Sequence, residues 1–354
     1  MKTIRRAALL AAVAALGLTA CSTSTPTETT ADEAPAQQET PTAGAAETTE
    51  PATAAADANA GGIPEGDGTE TIYLVSMGFQ HRFWQAVNEG AQAAGDEFGY
   101  QVEFVGPDDE TKVTQQLDLL QTAFDTKPAA IGLAALDGGA AEPLLDQIHA
   151  AGIPVVAFDS GVESGVPATT VQTDNVAAAA EAARRTIELL GGEGTIGLVC
   201  HDQTSQVGQQ RCQGFQDHVA AEAPGITVLA PQYANEVGLA ANTTKAILQA
   251  NTDVDAIYAT NEAAAAGAVQ GKLEAGADVI VVGFDSGATQ IEAIRDGDAA
   301  GAVSQAPVRM GYETVVAAIR AIHGQELPEI IDSGFTWYDA TNMDDPEVAA
   351  NLYE

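Results

Sequence analysis

The sequence predicts an α/β protein made of two similar, doubly wound parallel-sheet lobes. One observation behind this is a regular alternation, from residue 70 onward, of short Val/Ile/Leu-rich runs with helix-length stretches. Another is an internal repeat. Pro154-Val-Val-Ala-Phe-Asp159-Ser-Gly161 returns as Val281-Val-Gly-Phe-Asp285-Ser-Gly287, with the tetrapeptide Phe-Asp-Ser-Gly identical in both. The length of this region, about 285 residues, suffices for one large or two ordinary domains.

The strands are expected at 72–77, 102–105, 129–135 and 155–158, then at 195–199, 227–229, 256–259 and 279–284. The runs are apolar almost throughout, as parallel strands covered on both faces must be. The intervening stretches carry apolar residues at three- and four-residue spacing, for example Val113, Leu117, Leu120, Ala123 and Phe124. Each copy of the repeat closes the fourth strand of its series. That position favours duplication of a lobe over a single eight-stranded sheet.

Ahead of the lobes lies a different kind of text. Lys2, Arg5 and Arg6 precede an apolar run over 7–18 and then Leu18-Thr19-Ala20-Cys21. A basic start, a short apolar stretch and small residues before a break describe a secretory signal peptide over 1–20. The run is shorter than the ~20 residues of a membrane span. The Leu-Thr-Ala-Cys ending resembles a bacterial lipobox, which implies that Cys21 is lipidated and becomes the mature N-terminus. The plainer alternative is an ordinary cleavage site beside an incidental cysteine. Residues 21–69 are Thr, Ala, Glu and Pro with few apolar groups to bury, and are expected to form a disordered tether. A flexible chain of that length averages roughly 40 Å end to end.

Fifty acidic residues against fourteen Lys and Arg leave a formal charge of −36. This argues against nucleic acid and anionic lipid surfaces as partners, so membrane contact is expected through the anchor only. With Cys21 lipidated, Cys200 and Cys212 remain; in an oxidising compartment they are either bonded to each other or two separate thiols.

Open α/β sheets bind ligands beyond the carboxyl ends of their strands. In the first lobe these positions hold Phe79-Gln80-His81-Arg82-Phe83-Trp84, Asp108-Asp109, Asp137 and Asp159. In the second they hold His201-Asp202-Gln203 with Arg211 further on, Tyr233, Asn235, Asn261-Glu262 and Asp285. Two faces of carboxylate, amide, guanidinium and aromatic groups suit a neutral polyhydroxyl compound. Carboxylates and amides take hydroxyls, Arg donates several bonds in one plane, and rings cover C–H surface. Catalysis has no comparable support. Cys200-His201-Asp202 are neighbours in sequence, which does not arrange them as a triad. Gly192-Glu-Gly194-Thr-Ile-Gly197 precedes a strand where a dinucleotide fingerprint follows one, and reads as a turn. No His/Cys/carboxylate set has metal-site spacing. The expectation is a binding protein without cofactor or metal, not an enzyme.

The ordered set Gln80-His-Arg-Phe-Trp84-Gln, Phe158-Asp-Ser160, Thr173-Asp-Asn175, Gln210-Arg211-Cys-Gln-Gly-Phe215, Ala259-Thr-Asn261-Glu, Val282-Gly-Phe-Asp285 and Ser304-Gln305-Ala-Pro307 resembles the ribose-type periplasmic sugar-binding proteins. These have the type I periplasmic binding fold and serve ABC importers. The resemblance implies a three-strand hinge with crossings near 173, 305 and 334. The lobes would then comprise 70–173 with 306–334, and 174–305 with 335–354. It also implies a ligand set. Phe83 and Trp84 fall where the family sandwiches the sugar ring, and Asp159 and Asp285 on the two hydroxyl-binding carboxylates. Arg211 matches the arginine that reaches the ring oxygen, Asn261 and Gln305 the completing amides, and Phe284 a minor aromatic contact. His81 stands where an asparagine is usual.

Two departures bear on the ligand. Ser160 replaces the arginine that follows the first-lobe aspartate in ribose binders, which implies a roomier pocket on that side. The aromatic expected after the second strand of the second lobe has no clear counterpart; Asn235 lies nearest. The cargo is therefore left open among a hexose, a sugar alcohol and a furanose-like signal molecule. The expected protein is a monomeric, lipid-anchored receptor on the outer side of the cytoplasmic membrane, delivering a sugar or polyol to an ABC permease. The alternative is a receptor feeding a membrane sensor. A sugar-responsive repressor, which shares the core, is excluded by the acidic segment standing where a basic DNA-binding module would be needed.

Overall fold

The computed structural model describes residues 62–353. Cys21, the signal peptide and most of the expected tether lie outside the described residues. Residues 62–69 fall within that expected tether, yet they join the first lobe. Gly66 N donates to Phe98 O at 2.8 Å, Gly68 N to Gly99 O at 3.0 Å, and Ile63 packs on the core.

The first lobe runs β1 (Thr71–Val75), α1 (Arg82–Phe98), β2 (Gln101–Val105), α2 (Val113–Asp125), β3 (Ala130–Leu133), α3 (Gly138–Ala150), β4 (Val155–Phe158) and β5 (Thr170–Gln172). The second runs α4 (Asn175–Leu190), β6 (Gly194–Cys200), α5 (Gln206–Glu222), β7 (Ile226–Val228), β8 (Gln232–Tyr233), α6 (Val237–Ala250), β9 (Ala256–Ala259), α7 (Glu262–Ala275), β10 (Ile280–Phe284), α8 (Ala288–Asp296) and β11 (Gly301–Gln305). The chain then returns through α9 (Pro307–Ile322) and β12 (Ile330–Asp332), and ends in β13 (Phe335–Tyr338) and α10 (Pro346–Ala349).

The sheets have the orders β12-β5-β4-β3-β1-β2 and β13-β11-β10-β9-β6-β7, with β8 pairing β6. Strand for strand, β5-β4-β3-β1-β2 and β11-β10-β9-β6-β7 are the same doubly wound order, as the repeat predicts. All pairings are parallel except β11 with β13. Every strand expected from the sequence is present. β5, β8, β11, β12 and β13 were not expected. They are short, or as in β11 (Gly-Ala-Val-Ser-Gln) built of small and polar residues, and they form because neighbouring strands are there to pair with.

Each sheet is buried on both faces. In the first, Ile72, Leu74 and Phe158 share one cluster with Val87 of α1 and Met310, Val315 and Ile319 of α9, while Val75, Ile131 and Leu133 pack with Leu120, Leu145 and Ile148 on the other face. In the second, Leu198, Val282 and Phe284 pack with Ala179 of α4 and Phe215 of α5; Val199, Ile257 and Val281 face α6, α7 and α8. The helix α9 follows a second-sheet strand but covers the first sheet. Its crossing with α1 is very close: a Cβ on Gly311 would lie 1.8 Å from Val87 O, and one on Gly90 1.8 Å from Val308 O. Glycine at both positions lets the two backbones touch, and that contact seats α1, whose first turn carries cleft residues.

The chain passes between sheets at 173–174, 306 and 333–334. The crossings are bonded to one another. Thr173 Oγ1 donates to Gln305 Oε1 at 3.0 Å and lies 3.4 Å from Ser333 Oγ.

Candidate functional site

Between the lobes, at the carboxyl ends of both sheets, lies a narrow cavity of about 30 Å³, roughly the room of two waters. Its walls include His81, Phe83, Trp84, Asp159, Arg211, Asn261, Asp285 and Gln305, all named from the sequence. Met77, Glu110, His201, Val207 and Glu262 complete it. The lobes are closed on each other: Asn235 Nδ2 donates to Glu110 Oε2 at 3.3 Å, Thr204 Oγ1 to Leu136 O at 3.1 Å, and His81 Nδ1 lies 3.7 Å from Glu262 Oε2.

The two repeat carboxylates occupy equivalent places, after β4 and β10, and both have a left-handed backbone, with φ 55° at Asp159 and 74° at Asp285. Non-glycine residues rarely take this conformation, and where they do the strain commonly serves a site. Their surroundings differ. Asp285 Oδ1 accepts from Gln305 Nε2 at 2.7 Å, Oδ2 accepts from Glu262 N at 3.1 Å, and Arg211 Nη1 lies 3.8 Å away. The Asp159 carboxylate, 4 % exposed, accepts no hydrogen bond from any described residue. Burial pushes its pKa up to about 7, against the opposing pull of Arg211. Neither aspartate caps the helix that follows it in sequence.

Arg211 is fixed from several sides. Its Nε donates to Asn175 Oδ1 at 2.7 Å, Nη1 to Thr260 O at 3.2 Å, and the guanidinium lies 3.8 Å over the Phe284 ring. Phe284 is fully buried beneath it and does not line the cavity. Ser160 does not line it either: it is fully buried with its hydroxyl unpartnered. The roomier pocket expected from Ser160 is thus not found. Glu110, Glu262, Met77 and Val207 crowd the same cleft.

Phe83 and Trp84 meet edge to face at 4.8 Å, and Trp84, 1 % exposed, also sets its edge against Phe158 at 6.2 Å. Trp84 Nε1 donates to Glu110 Oε1 at 3.0 Å. Glu110 Oε2 also accepts from Asn235 Nδ2, and Asn235 Oδ1 in turn accepts from Asn261 Nδ2 at 2.6 Å. Where the resemblance implies a second-lobe aromatic, the molecule has a polar bridge across the cleft. Glu110 was missed from the sequence although Asp108-Asp109 beside it were noted; three consecutive acids give no sign of which one turns inward.

His81, at the N-cap of α1, has its pKa raised to about 9, chiefly by its contact with Glu262, and is a cation at neutral pH. His201 is the reverse. Burial lowers its pKa; Nε2 lies 3.2 Å from Asp202 Oδ2, and Nδ1 2.7 Å from Thr260 Oγ1. Cys200 and Cys212 are bonded, so Cys200-His201-Asp202 holds no free thiol. The disulfide joins the end of β6, next to His201, to α5, next to Arg211. Among the described residues no cluster of His, Cys and carboxylates could hold a metal ion, and no helix is long and apolar enough to cross a membrane.

Two equivalent doubly wound lobes, three crossings and a polar interlobe cleft define a type I periplasmic binding fold. The chain belongs to the periplasmic binding protein domain family, whose model matches residues 72–326. The family is one of non-catalytic solute-binding proteins. Among its relatives is the ribose import binding protein RbsB of Salmonella typhimurium, 30 % identical over 274 residues, which cover 73 % of this chain and 86 % of that protein. Two ABC transporter solute-binding proteins of Agrobacterium vitis share the fold. One, bound with α-D-tagatopyranose, has a TM-score of 0.77 at 28 % identity, covering 80 % of this chain and 99 % of that one. The other, with bound D-fucose, has a TM-score of 0.76 at 29 % identity, covering 80 % and 100 %.

Proposed function

We propose that this protein is the lipid-anchored, substrate-receiving subunit of an ABC importer and binds a neutral sugar or polyol between its lobes. The observation that carries the proposal is the Asp159 carboxylate, buried at the cavity with no donor among the described residues, opposite an Asp285 already bonded on both oxygens. A buried acceptor of this kind is stabilised by ligand hydroxyls. Four carboxylates (Asp159, Asp285, Glu110 and Glu262) against the cations Arg211 and His81 favour a hydroxyl-rich neutral compound over a sugar acid or sugar phosphate.

In this function Asp159, Asp285, Arg211, Asn261, Gln305 and His81 supply polar contacts, and Phe83 and Trp84 supply apolar wall. Phe284 supports Arg211 from below. The narrow closed cavity means that a ligand enters and leaves by opening of the lobes about the crossings. Cys21 would carry the lipid, and the segment after it would hold the binding lobes near the permease. The relatives named for ribose import or bound with α-D-tagatopyranose or D-fucose support the choice of ligand class.

A thermal-shift screen of the purified chain tests this, using D-ribose, D-tagatose, D-fucose, D-arabinose, pentitols and hexitols, with sugar acids and sugar phosphates as controls. A true ligand at a hundred times its dissociation constant adds about 2.7 kcal/mol of stability. A shift only with the acids or phosphates would overturn the neutral-ligand assignment, and no shift with any compound would overturn the sugar assignment. Lipidation at Cys21 is tested separately, by incorporation of labelled fatty acid into the wild type and its loss in Cys21→Ser.

A further inference from the structure

After β13 the chain runs through α10 and then back to the cleft. There its backbone is tied to the second lobe. Ser304 Oγ donates to Asn351 O at 2.6 Å, and Asn351 Nδ2 to Thr336 Oγ1 at 3.2 Å. Tyr353 N donates to Ser286 Oγ, and Ser286 N donates to the Tyr353 hydroxyl oxygen, both at 3.2 Å. Ser286 and Ser304 are themselves bonded at 3.0 Å, and they adjoin Asp285 and Gln305 in sequence. The ring of Tyr353, however, lies in the hydrophobic cluster of the first lobe. Its centroid is 5.8 Å from that of Phe83, at an interplanar angle of 62°, and the residue is only 7 % exposed. Among the described residues Phe83 therefore has two aromatic neighbours: Trp84, from its own helix, and Tyr353, delivered from the opposite lobe.

We propose that Tyr353 is a positioning residue for the binding site, carried across the lobes by the C-terminal tail to hold the Phe83 ring in its place in the cavity wall; this role rests on the sugar-binding function proposed above. The geometry distinguishes it from a residue that only fills the core. Tyr353 is anchored next to one binding carboxylate and touches a cavity wall residue of the other lobe, so its contact with Phe83 depends on how the lobes are set. Losing the ring frees Phe83 and loosens the closed arrangement, with no change in the groups that accept or donate hydrogen bonds to ligand.

Fluorine NMR of the full chain carrying 5-fluorotryptophan reads this without ligand. The sequence has two tryptophans, and Trp337→Phe assigns the Trp84 signal. Trp84 lies edge-on to Phe83, so its resonance reports the seating of that ring. In Tyr353→Ala the Trp84 resonance is expected to shift or split while that of Trp337 stays; in Tyr353→Phe, which keeps the ring, Trp84 stays near its wild-type position. Should Tyr353→Ala fail to fold by far-ultraviolet circular dichroism, Tyr353→Leu keeps the bulk, loses the aromatic edge, and takes its place. A folded variant with an unmoved Trp84 signal overturns the proposal. In the second arm, whichever of D-ribose, D-tagatose, D-fucose or the pentitols binds wild type should bind Tyr353→Ala about tenfold more weakly, through faster release, the scale of one aromatic pair. Equal affinity in a folded Tyr353→Ala also overturns it. If Trp84 responds as expected and none of these compounds binds wild type, the ligand class fails while the seating of Phe83 by Tyr353 stands.

Discussion

Gln305 Nε2 donates to Asp285 Oδ1 at 2.7 Å from a residue beside an interlobe crossing, while its Oε1 accepts from Thr173 of another crossing at 3.0 Å. One carboxamide thus links two interlobe crossings to the carboxylate proposed to bind ligand.

Gln305→Ala removes this link and leaves a buried carboxylate one donor short. A hydrogen bond to a charged group contributes about 1.5–3 kcal/mol, so ligand affinity should fall about tenfold or more by calorimetry. Equal affinity in the variant would separate the hinge from the site.

Arg211→Ala should weaken binding by about 2 kcal/mol or more, since Asp285 loses a nearby cation and the ligand loses a donor fixed by Asn175, Thr260 and Phe284. Arg211→Lys should recover little, because an ammonium can neither lie flat on Phe284 nor reach both oxygen partners at once. A lysine variant with wild-type affinity would show that charge alone matters.

Asp159 gives a pH dependence of known sign. Its folded pKa is raised to about 7, so between the ordinary carboxylate range and pH 7 the native state holds a proton that the unfolded chain has released. This group's contribution to the stability of the ligand-free protein is complete at acid pH and is lost as pH rises through 7. Binding runs the other way: ligand hydroxyls donate to the ionised form, so affinity should fall several-fold from pH 8 to pH 6. Denaturation and calorimetry across this range measure both, and Asp159→Asn should flatten both profiles. A wild-type affinity flat with pH would mean that Asp159 does not accept from the ligand.

The Cys200–Cys212 bridge closes a loop of sequence separation 12. Cys200→Ser with Cys212→Ser should cost about 3 kcal/mol of stability in urea denaturation, the scale for a loop of this size. Because Arg211 and His201 flank the bridged residues, affinity should fall as well; loss of stability alone would make the bridge purely structural.

Gly311→Ala should be among the most damaging single changes outside the cleft. Its Cβ would meet the Val87 carbonyl at 1.8 Å, forcing α9 off α1. Overpacking of this kind costs about 1–3 kcal/mol or more. An unchanged midpoint in thermal denaturation would show that the helices separate freely.

Much of the fold was legible in the sequence because buried parallel strands need continuous apolar runs, and the strands of both lobes have them. β5 and β11–β13 were not legible, since three to five residues of mixed polarity carry no period. Their pairing is decided by which strand lies next to them. In the site, Asp159, Asp285 and Arg211 could be named from motif order and strand ends. Glu110 could not be assigned in the same way, because an exposed acid and one turned into a cleft look alike in a chain this acidic; Glu262 stands at a strand end, but its place there gives it no role.

By itself the sequence determined two similar α/β lobes and a carboxylate after the fourth strand of each. Local composition and spacing suffice for those features. Tertiary structure alone decided that Cys200 and Cys212 are bonded, that Asp285 accepts a hydrogen bond on each oxygen while Asp159 accepts none from a described residue, that Ser160 stays outside the cavity, and that Tyr353 returns through the C-terminal tail to touch Phe83. Each of these depends on distances between residues far apart in sequence or on opposite lobes, and such distances exist only once the sheets have formed and the crossings have set one lobe against the other.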